Sequence, residues 1–368
     1  MSVEINKICI FLSNRCNLDC TYCGVDKKNI MRLSIPQIKT FISWFTKQPC
    51  KSDYRSIDFY GGEPFLEFEL LKTAISYFKK SNLDKKSQIE TIPTNGTVLT
   101  KDMISFIKDE GLRVAFSLDG ERTANAQRVF KNGDPSFDIV WRNMKRFYHC
   151  MGYPPRVFLT ITPGNVSNLY GNIKFLVDHG FSDIRPGIGR MPVAWTRIEL
   201  DILLKEFNKV LELYLRRKLS GQPIRIHPMD HLWGKTAPEL DPNLFHCGFG
   251  DKLLLYCDGN IYNCELPISW NDCWKENFQI GSIKGTKVII DSKKIQKICQ
   301  FDIYKKFKLR VKNPHIATLF KRYACLVYKA DGRFMKKTDI QSRLDIQTKI
   351  IESGLRFYAQ AKQKMNLS

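Results

Sequence analysis

A predicted strand that runs directly into three closely spaced cysteines decides the interpretation of this chain: residues 7–23 are KICIFLSNRCNLDCTYC. Lys7–Ser13 is short, apolar and rich in isoleucine, which is typical of a buried strand. Cys16, Cys20 and Cys23 follow on one loop, and three such thiolates can bind a four-iron cluster with one iron left open. The alternatives are a zinc site, which normally needs a fourth protein ligand from elsewhere, and buried thiols without a metal.

The alternation of strand and helix continues to about residue 220 and predicts an α/β fold. Apolar runs predict six strands, at Lys7–Ser13, Ser56–Tyr60, Gln88–Pro93, Arg113–Leu118, Val157–Thr162 and Asp183–Ile188. Amphipathic stretches predict helices at Pro36–Lys47, Leu66–Lys80, Lys101–Glu110, Ser136–Tyr148, Ser167–His179 and Ile198–Leu219. Six strand–helix units imply a parallel sheet with right-handed crossovers, so we expect a partial (β/α)6 TIM-type barrel.

Polar motifs follow four of these strands. They are Asn14–Cys23, Gly61–Pro64, Thr94–Thr97 and Asp119–Gly120, in that order along the chain. Active sites of such barrels form at the carboxyl ends of the strands. The sequence therefore predicts a single site to which all four motifs contribute.

The rest of the chain is predicted to form smaller elements. Ser220–Asn243 is rich in proline and glycine and is predicted to be a linker. A hairpin is predicted from Lys252–Tyr256 and Ile261–Cys264, and Thr338–Lys364 has an apolar face at helical spacing, which predicts a helix packed on the body. We therefore expect a core at residues 1–220, a second cysteine-bearing region at 221–290 and a basic, mainly helical segment at 291–368.

Composition excludes several classes of protein. The 368 residues are 43% hydrophobic with a mean hydropathy of −0.29, as in a folded globular protein. No apolar run approaches the roughly 20 residues of a membrane-spanning helix, and the N-terminus lacks a signal-peptide pattern. We therefore expect a cytoplasmic protein that does not enter a membrane. In that compartment thiols stay reduced, so its 12 cysteines indicate metal binding or catalysis rather than disulfides.

Positive charge is concentrated in the C-terminal quarter. The whole chain carries a formal charge of +21, and the part from Lys284 onward has 21 basic and 6 acidic residues, or +15. Such a field attracts an acidic peptide or a nucleic acid, although a merely solvated lysine-rich surface is the alternative. Basic and aromatic residues interleave at Lys305–Arg322, yet no nucleic-acid-binding fold accompanies them, so a nucleic acid is the remote alternative.

Taken together, the motifs resemble those of the radical S-adenosylmethionine (SAM) enzymes. The family signature is Cys-x3-Cys-x2-Cys with an aromatic residue before the third cysteine, here Tyr22. Gly61–Pro64 resembles the motif that holds the amino group of SAM. Thr94–Thr97 and Ser117–Gly120 resemble two motifs of the sulfatase-maturating and peptide-modifying branch, and the resemblance covers roughly residues 7–190.

This resemblance implies cofactors and residues. A [4Fe-4S] cluster bound by Cys16, Cys20 and Cys23 would chelate SAM, and a donor such as flavodoxin or ferredoxin would reduce it. Cleavage of SAM would then produce a 5′-deoxyadenosyl radical that abstracts hydrogen from the substrate. The residues implied to contact SAM are Tyr22, Gly61, Gly62, Glu63, Pro64, Asn95, Ser117, Asp119 and Arg128. From the residues alone, the two glycines are expected to let the backbone approach this ligand closely.

The second cysteine group resembles the opening of the SPASM or twitch extension of these enzymes. Cys247, Cys264 and Cys273 are the implied ligands of one auxiliary [4Fe-4S] cluster. Candidates for the fourth ligand are Cys257, Cys299 and Cys325. Glu265 matches the position of the base proposed in sulfatase maturases, and a surface carboxylate beside a turn is the alternative.

For the substrate, the resemblance favours a ribosomally made peptide or protein that is crosslinked, epimerised or oxidised. The basic C-terminal quarter suits an acidic leader. Only fifteen residues precede Cys16, so we expect such a leader to be held by the extension or by another protein. A twitch-type dehydrogenase or epimerase of a sugar or aminocyclitol is the alternative within the enzymes.

Overall fold

The computed structural model describes residues 5–27, 29–48, 55–82, 87–189, 195–232, 237–239, 252–263, 278–300, 302–311, 313–315 and 336–366. The strands are β1 (Lys7–Phe11), β2 (Arg55–Tyr60), β3 (Ser87–Ile89), β4 (Ile92–Thr94), β5 (Val114–Ser117), β6 (Arg156–Ile161), β7 (Asp183–Ile188), β8 (Arg225–Ile226), β9 (Lys252–Leu255), β10 (Asn260–Tyr262), β11 (Gln279–Lys284) and β12 (Lys287–Ile290). The larger helices of the first part are α1 (Ile35–Thr46), α2 (Phe68–Ser81), α3 (Lys101–Asp109), α4 (Phe137–Met151), α5 (Leu169–Asp178) and α6 (Arg197–Leu219). Later helices are Met229–Leu232, Ser292–Cys299, Ile303–Phe307 and Lys337–Asn366.

The strands form two sheets, and the expected α/β fold with a parallel sheet is confirmed. One sheet has the order β12-β11-β10-β9-β1-β2-β3, and the other has the order β4-β5-β6-β7-β8. Strand pairs from β1 to β8 are parallel, whereas β9 to β12 pair antiparallel with one another. Among the described residues the strands make an open arrangement of two sheets, which is compatible with a partial barrel.

The third predicted strand is divided between the two sheets. The prediction of one strand at Gln88–Pro93 is wrong, since β3 pairs with β2 and β4 pairs with β5. The amide of Glu90 still donates to the Ile57 carbonyl on β2, and two residues later the amide of Ile92 donates to Arg113 beside β5. The first half of the segment is therefore hydrogen-bonded to β2 and the second half to β5, so the segment forms two strands instead of one.

The linker predicted at Ser220–Asn243 is wrong for its middle part. Arg225–Ile226 adds strand β8 to the parallel sheet beside β7, and Met229–Leu232 is helical. Ile224, Ile226 and Leu232 are buried with relative exposures of 2% or less. The prolines in this stretch flank short buried elements, so proline frequency alone does not indicate an exposed linker.

The hairpin after the linker continues the core sheet. Strand β9 pairs in parallel with β1, from Lys7 opposite Lys252 to Ile10 opposite Leu255. Asp58 of β2 lies between these strands' lysines, 3.2 Å from Lys7 Nζ and 2.8 Å from Lys252 Nζ. The division of the chain at residue 220 therefore does not interrupt the sheet, and the domain boundaries stay a prediction.

The C-terminal helix Lys337–Asn366 packs on the body as its apolar spacing predicts. Ile340, Leu344 and Ile351 on its predicted face are buried. The helix contacts α6 and the helix Met229–Leu232, and a side chain added at Gly354 would come within 2.6 Å of Leu232. Among the described residues, every helix is too short or too polar to cross a membrane.

Candidate active site

The loop after β1 carries Cys16, Cys20 and Cys23 at the carboxyl end of the sheet. Cys16 is buried, and Cys20 and Cys23 are partly exposed; all three are free thiols. The Cys16 sulfur accepts hydrogen bonds from the Leu18 amide at 3.4 Å and from Asn95 Nδ2 at 3.7 Å. Burial raises the pKa of the Cys16 thiol, and it raises the pKa of Cys20 to about 11. Burial therefore favours the neutral thiol form of Cys16 and Cys20, whereas a bound cation would favour their thiolates.

Backbone pairing with a distant segment holds this loop. The Asp19 amide donates to the Val129 carbonyl at 2.8 Å, and the Thr21 amide donates to the Gln127 carbonyl at 3.0 Å. Leu18 also forms an antiparallel bridge with Phe130. The cysteine loop therefore depends on residues more than one hundred positions further along the chain, which local sequence patterns do not reveal.

Asn14, which precedes the cysteines, is hydrogen-bonded to the backbone of the segment that follows them. Its side chain is fully buried and donates from Nδ2 to the carbonyls of Asp26 at 2.8 Å and Asn29 at 2.7 Å. Its Oδ1 accepts from the Met31 amide at 2.7 Å. The sequence motifs do not identify Asn14 as a separate functional residue, although an amide side chain where a strand ends beside a cysteine motif is a usable signal.

The two glycines after β2 pack closely against the backbone of the cysteine loop. A side chain at Gly62 would lie 2.5 Å from the Arg15 carbonyl oxygen, and one at Gly61 would lie 2.9 Å from that of Ser13. The Gly62 amide donates to Ser13 at 2.8 Å and the Glu63 amide donates to Arg15 at 2.9 Å. In the structure, the close approach is therefore to the protein's own cysteine loop, and an approach to a ligand remains a prediction.

Glu63 forms hydrogen bonds both to the segment that follows β2 and to the end of β4. Its carboxylate is buried and accepts from the Phe65 amide at 3.0 Å, the Thr94 hydroxyl at 2.9 Å and the Asn95 amide at 2.6 Å. Burial raises its pKa to about 7, although these donors oppose that shift. Because Asn95 also bonds to Cys16, Glu63 connects the Gly61–Pro64 motif to the cysteine loop.

The amide side chains of the third motif extend this connection. Asn95 Nδ2 donates to Asn17 Oδ1 at 2.9 Å, and Asn17 Nδ2 donates to the Thr97 hydroxyl at 2.8 Å. The Thr97 hydroxyl in turn lies 2.6 Å from Asn95 Oδ1. Asn17, inside the cysteine motif, is a residue that the sequence did not indicate, because the spacing of the cysteines dominates that stretch.

Asp119 is the centre of a buried polar cluster formed with Tyr22, Arg128 and Thr160. Its carboxylate accepts from the Tyr22 hydroxyl at 2.6 Å, Arg128 Nε at 2.9 Å, Arg128 Nη2 at 3.0 Å and the Thr160 amide at 2.8 Å. Asp119 is completely buried and Arg128 nearly so. Burial would lower the pKa of Arg128, but the charge of Asp119 keeps it above the ordinary value. Arg128 is thus brought to the site, despite its imperfect match in sequence, as a partner of Asp119.

The remaining predicted residues divide into two groups. Pro64 begins a short 3-10 helix, and Ser117 ends β5 beside Asp119, so both lie at strand ends as expected. Cys257 is buried, and burial raises its pKa to about 12, in agreement with a position in the core. Cys247, Cys264, Cys273, Cys325 and Glu265 lie outside the described residues, and of Cys299 the structure describes only its helical position.

The three thiols of the first loop fit a cluster better than a single metal ion. Ligands of one zinc ion converge on a common point at about 2.0–2.3 Å, and within the described part of the chain no three Cys, His, Asp or Glu side chains do so. In a four-iron cluster each thiolate binds a different iron, so no common point is needed. The buried Cys16 sulfur also accepts hydrogen bonds from Leu18 on the loop and from Asn95, and donors of this kind tune such clusters.

A cavity of about 590 Å³ opens beside this loop. Tyr22 lines it from the cysteine loop and Tyr60 from the end of β2. Its other walls come from β6, β7, α6 and the C-terminal helix. This volume lies in the range of small-molecule sites, so the loop and the cavity together have the features of an enzyme active site.

Comparisons with known proteins agree with this geometry. Residues 10–168 match the family model of the Radical SAM superfamily. An uncharacterized protein of Methanocaldococcus jannaschii is 27% identical over 285 residues, which cover 74% of this chain and 96% of that protein. The cysteine-type anaerobic sulfatase-maturating enzyme of Clostridium novyi is 24% identical over 293 residues, which cover 74% of this chain and 75% of that enzyme.

A solved structure shows a similar fold. Native anSMEcpe with bound AdoMet and Cp18Cys peptide superimposes with a TM-score of 0.72 at 16% identity, covering 98% of this chain and 99% of that chain. The match extends over nearly the whole of both chains and therefore includes the part that follows residues 10–168.

Proposed function

We propose that this chain, whose residues 10–168 match the family model of the Radical SAM superfamily, uses a [4Fe-4S] cluster and SAM to abstract hydrogen from a ribosomally made peptide or protein. The observation that supports a radical site most strongly is the cysteine loop itself. The loop follows the carboxyl end of β1, and its Tyr22 lines a cavity large enough for a small molecule. The expected outcome for the substrate is a crosslink, an epimerised residue or an oxidised residue.

The chain's own residues would position the cofactors. A cluster bound by Cys16, Cys20 and Cys23 supplies, when reduced, the electron that splits SAM into methionine and a 5′-deoxyadenosyl radical. Asn95 would donate its amide hydrogen to the Cys16 sulfur, at the contact already present in the structure. Tyr22, which is held by Asp119, would place its ring where the cysteine loop borders the cavity.

The direct contacts to SAM remain proposals for the residues that the motifs indicated. Glu63 and Asp119 each have their carboxylates engaged by protein donors, so we propose that they act mainly by orienting neighbouring groups. Ser117 and the backbone of Gly61–Pro64 are then the proposed direct contacts. Loss of a hydrogen bond to a charged ligand group costs about 1.5–3 kcal/mol, so Ser117→Ala is expected to weaken SAM binding roughly tenfold or more.

A peptide is the favoured substrate for two reasons. The similar solved structure contains a bound peptide, and the relative from Clostridium novyi is a sulfatase-maturating enzyme, which by its name acts on a protein. The cavity of this chain is also bordered by arginines, as an acidic segment would require. A sugar or aminocyclitol substrate remains the alternative, since a cavity of this volume also accommodates such a molecule.

Transfer of an isotope tests the proposal. Short peptides encoded beside the gene are synthesised with deuterated residues and incubated anaerobically with reconstituted enzyme, dithionite and SAM. We expect deuterium in the 5′-deoxyadenosine, measured by mass spectrometry, and none when the same peptide is unlabelled. Deuterium from a labelled sugar or aminocyclitol, with none from any peptide, would favour the alternative.

A second cluster is proposed for Cys247, Cys264 and Cys273, which lie outside the described residues. If they bind it, a variant in which Cys16, Cys20 and Cys23 are all alanine retains about four irons per chain after reconstitution. An iron-free triple variant that remains folded would contradict this second cluster. We also propose an iron–sulfur or flavin electron donor and a catalytic role for Glu265 as a base, and Glu265→Gln with unchanged turnover would contradict that role.

A further inference from the structure

The cavity beside the cysteine loop has one wall that belongs to the C-terminal helix. Arg343, Ile346, Gln347, Ile350 and Ile351 of that helix line it. Their spacing of i, i+3, i+4, i+7 and i+8 places them on one face of the helix. A segment far from the cysteine motif in sequence therefore contributes side chains to the same cavity as Tyr22.

The described lining of the cavity is amphipathic, and its formally charged side chains are arginines. Trp195, Leu200 and Phe207 supply apolar walls from α6 and the turn before it. The charged side chains in the lining are Arg185 and Arg343, and the lining of described residues contains no aspartate or glutamate. A site with two guanidinium groups and no acidic group attracts an anion.

Arg185 is the central charge of this arrangement. It lies on β7 and borders the cavity, and its side chain forms no hydrogen bond or ion pair with any residue that the structure describes. Desolvation by the surrounding protein and the neighbouring Arg156 guanidinium lower its pKa below the ordinary value. An arginine whose side chain is not paired within the described part of the chain is a suitable partner for a carboxylate, with which it forms two parallel hydrogen bonds.

The acidic groups near Arg185 are already engaged by other cations. Asp183 accepts from Arg156 at 3.0 and 3.1 Å, and Glu90 lies 3.7 Å from Lys7 Nζ. Both carboxylates still attract the Arg185 guanidinium through their charge, but the hydrogen bonds and salt bridges described for them are to other cations. A ligand that brings a carboxylate of its own would balance the guanidinium.

The position of Arg185 favours a carboxylate of the substrate over that of SAM. The motif expected to hold the amino group of SAM follows β2, and the Ser117–Gly120 motif follows β5, whereas Arg185 is on β7. In the sheet, β6 separates β5 from β7. Apolar residues of α6 and of the C-terminal helix line the cavity together with Arg185, and these elements lie outside all four polar motifs.

We propose that Arg185 binds an acidic side chain of the peptide substrate in this cavity, with Arg343 of the C-terminal helix as the second cation of the subsite. The inference rests on the proposed peptide substrate and specifies its chemistry. The acidic residue would be close to the residue from which hydrogen is removed, because Arg185 and Tyr22 line the same cavity. Apolar residues beside it would pack on Trp195 and Phe207.

Binding of two blocked peptides to the SAM-loaded, reconstituted full chain tests this subsite. The probes are N-acetyl-Phe-Glu-Phe amide and N-acetyl-Phe-Gln-Phe amide, and their affinities are measured by calorimetry under anaerobic conditions. We expect the glutamate peptide to bind the wild type about tenfold more tightly, since a charged pair replaces a neutral contact. Arg185→Gln should reduce this ratio to about one without changing the affinity for SAM.

Two further variants keep the test decisive. Arg185→Lys retains the charge and should keep part of the preference if Arg185→Gln fails to fold. Arg225→Gln removes the same charge from an exposed position on β8, outside the cavity lining, and should leave the ratio unchanged.

Two results would overturn the inference: equal affinity of the wild type for the two peptides, or an unchanged ratio in Arg185→Gln. Weaker SAM binding in Arg185→Gln with an unchanged peptide ratio would assign Arg185 to the methionine carboxylate instead. Formation of 5′-deoxyadenosine without peptide is measured in parallel, so that a failure of the radical chemistry is distinguished from a failure of the subsite.

Discussion

The polar groups at the carboxyl ends of β1 to β5 differ in one respect from the arginine that β7 contributes to the cavity. At the strand ends, polar side chains bind one another: Glu63 holds Asn95, Asn95 holds Asn17, and Asp119 holds Tyr22 and Arg128. On β7, Arg185 lies in the middle of the strand and borders the cavity, and its side chain forms no such bond to a described residue. Closed hydrogen-bond networks rigidify their surroundings, whereas groups left open are available to a ligand.

We relate this difference to two separate roles, which are binding of the cofactors and binding of the substrate. The cofactors of a radical SAM domain are constant, so the region that holds them can be fixed by internal hydrogen bonds. A substrate differs between enzymes, and under the proposed function it would bind where the cavity is lined in part by the C-terminal helix. Substitutions in the hydrogen-bonded region test whether that region is rigid. Substitutions at the cavity test whether its polar groups are available to a ligand.

The largest effect on stability is expected at the Asp119 cluster. Asp119→Ala leaves the buried guanidinium of Arg128 without its counter-ion, and loss of one partner of a buried pair costs about 3–5 kcal/mol. Denaturant unfolding measures this loss. The double variant Asp119→Leu/Arg128→Met should regain part of it, because no buried charge is then left unpaired.

An exposed pair provides the control for that experiment. Arg122 and Asp138 form the same type of ion pair at the surface, with 60% and 65% of their side chains exposed. Asp138→Ala should change the unfolding free energy little, since solvent screens such pairs. Equal losses in Asp119→Ala and Asp138→Ala would contradict the rigid cluster.

A smaller effect is expected from crowding beneath the cysteine loop. The added methyl group of Gly62→Ala would collide with the Arg15 and Asn14 carbonyl oxygens, and overpacking of this kind costs about 1–3 kcal/mol. The unfolding temperature and the iron content after reconstitution should both fall. Gly164→Ala is the control, because its added methyl group would meet only the Gln127 side chain, at 3.4 Å or more. Full iron loading in Gly62→Ala would show that the close approach of the two loops is not required.

The smallest effect concerns pH and the open side of the site. Burial and the nearby Arg185 lower the pKa of His227 in the cavity lining to about 3, whereas in the unfolded chain it is about 6.5. The stabilising contribution of neutral His227 is complete above pH 6.5 and is lost as the pH falls towards 3. Between pH 7 and pH 5.5 the wild type should therefore lose about 1 kcal/mol of unfolding free energy that His227→Gln retains. Parallel pH profiles of the two proteins would contradict this placement.

Much of the core fold is predictable because strand and helix alternate with clear periodicity. The end of β1 and the start of α6 fall within two residues of their predicted positions. The division of β3 from β4 is not predictable, since it depends on which neighbour each half binds. The strand β8 also escapes prediction, because two residues between prolines carry too little pattern to distinguish a strand from a linker.

The candidate site is predictable where residue spacing carries the chemistry and not where contacts do. The cysteines are identified from their spacing, and the Gly61–Pro64 motif is identified from its resemblance to a family motif that accompanies such cysteines. The hydrogen bonds that the Asp119 carboxylate accepts include those from Thr160 and Tyr22, which lie at two other strand ends. Arg185 stands alone in a predicted strand, and only the fold shows that it borders the same cavity as the cysteine loop.

The most direct test of the cofactor region is the cleavage of SAM by matched cysteine variants. Anaerobically reconstituted wild type, reduced with dithionite, should form 5′-deoxyadenosine from SAM, measured by liquid chromatography. Cys150→Ala, which removes an exposed thiol away from the loop, should form it at the same rate. The variant in which Cys16, Cys20 and Cys23 are alanine should form none. If that triple variant still cleaved SAM, the cysteine loop would not be the site of the radical chemistry, and its assignment as the cluster-binding loop would be wrong.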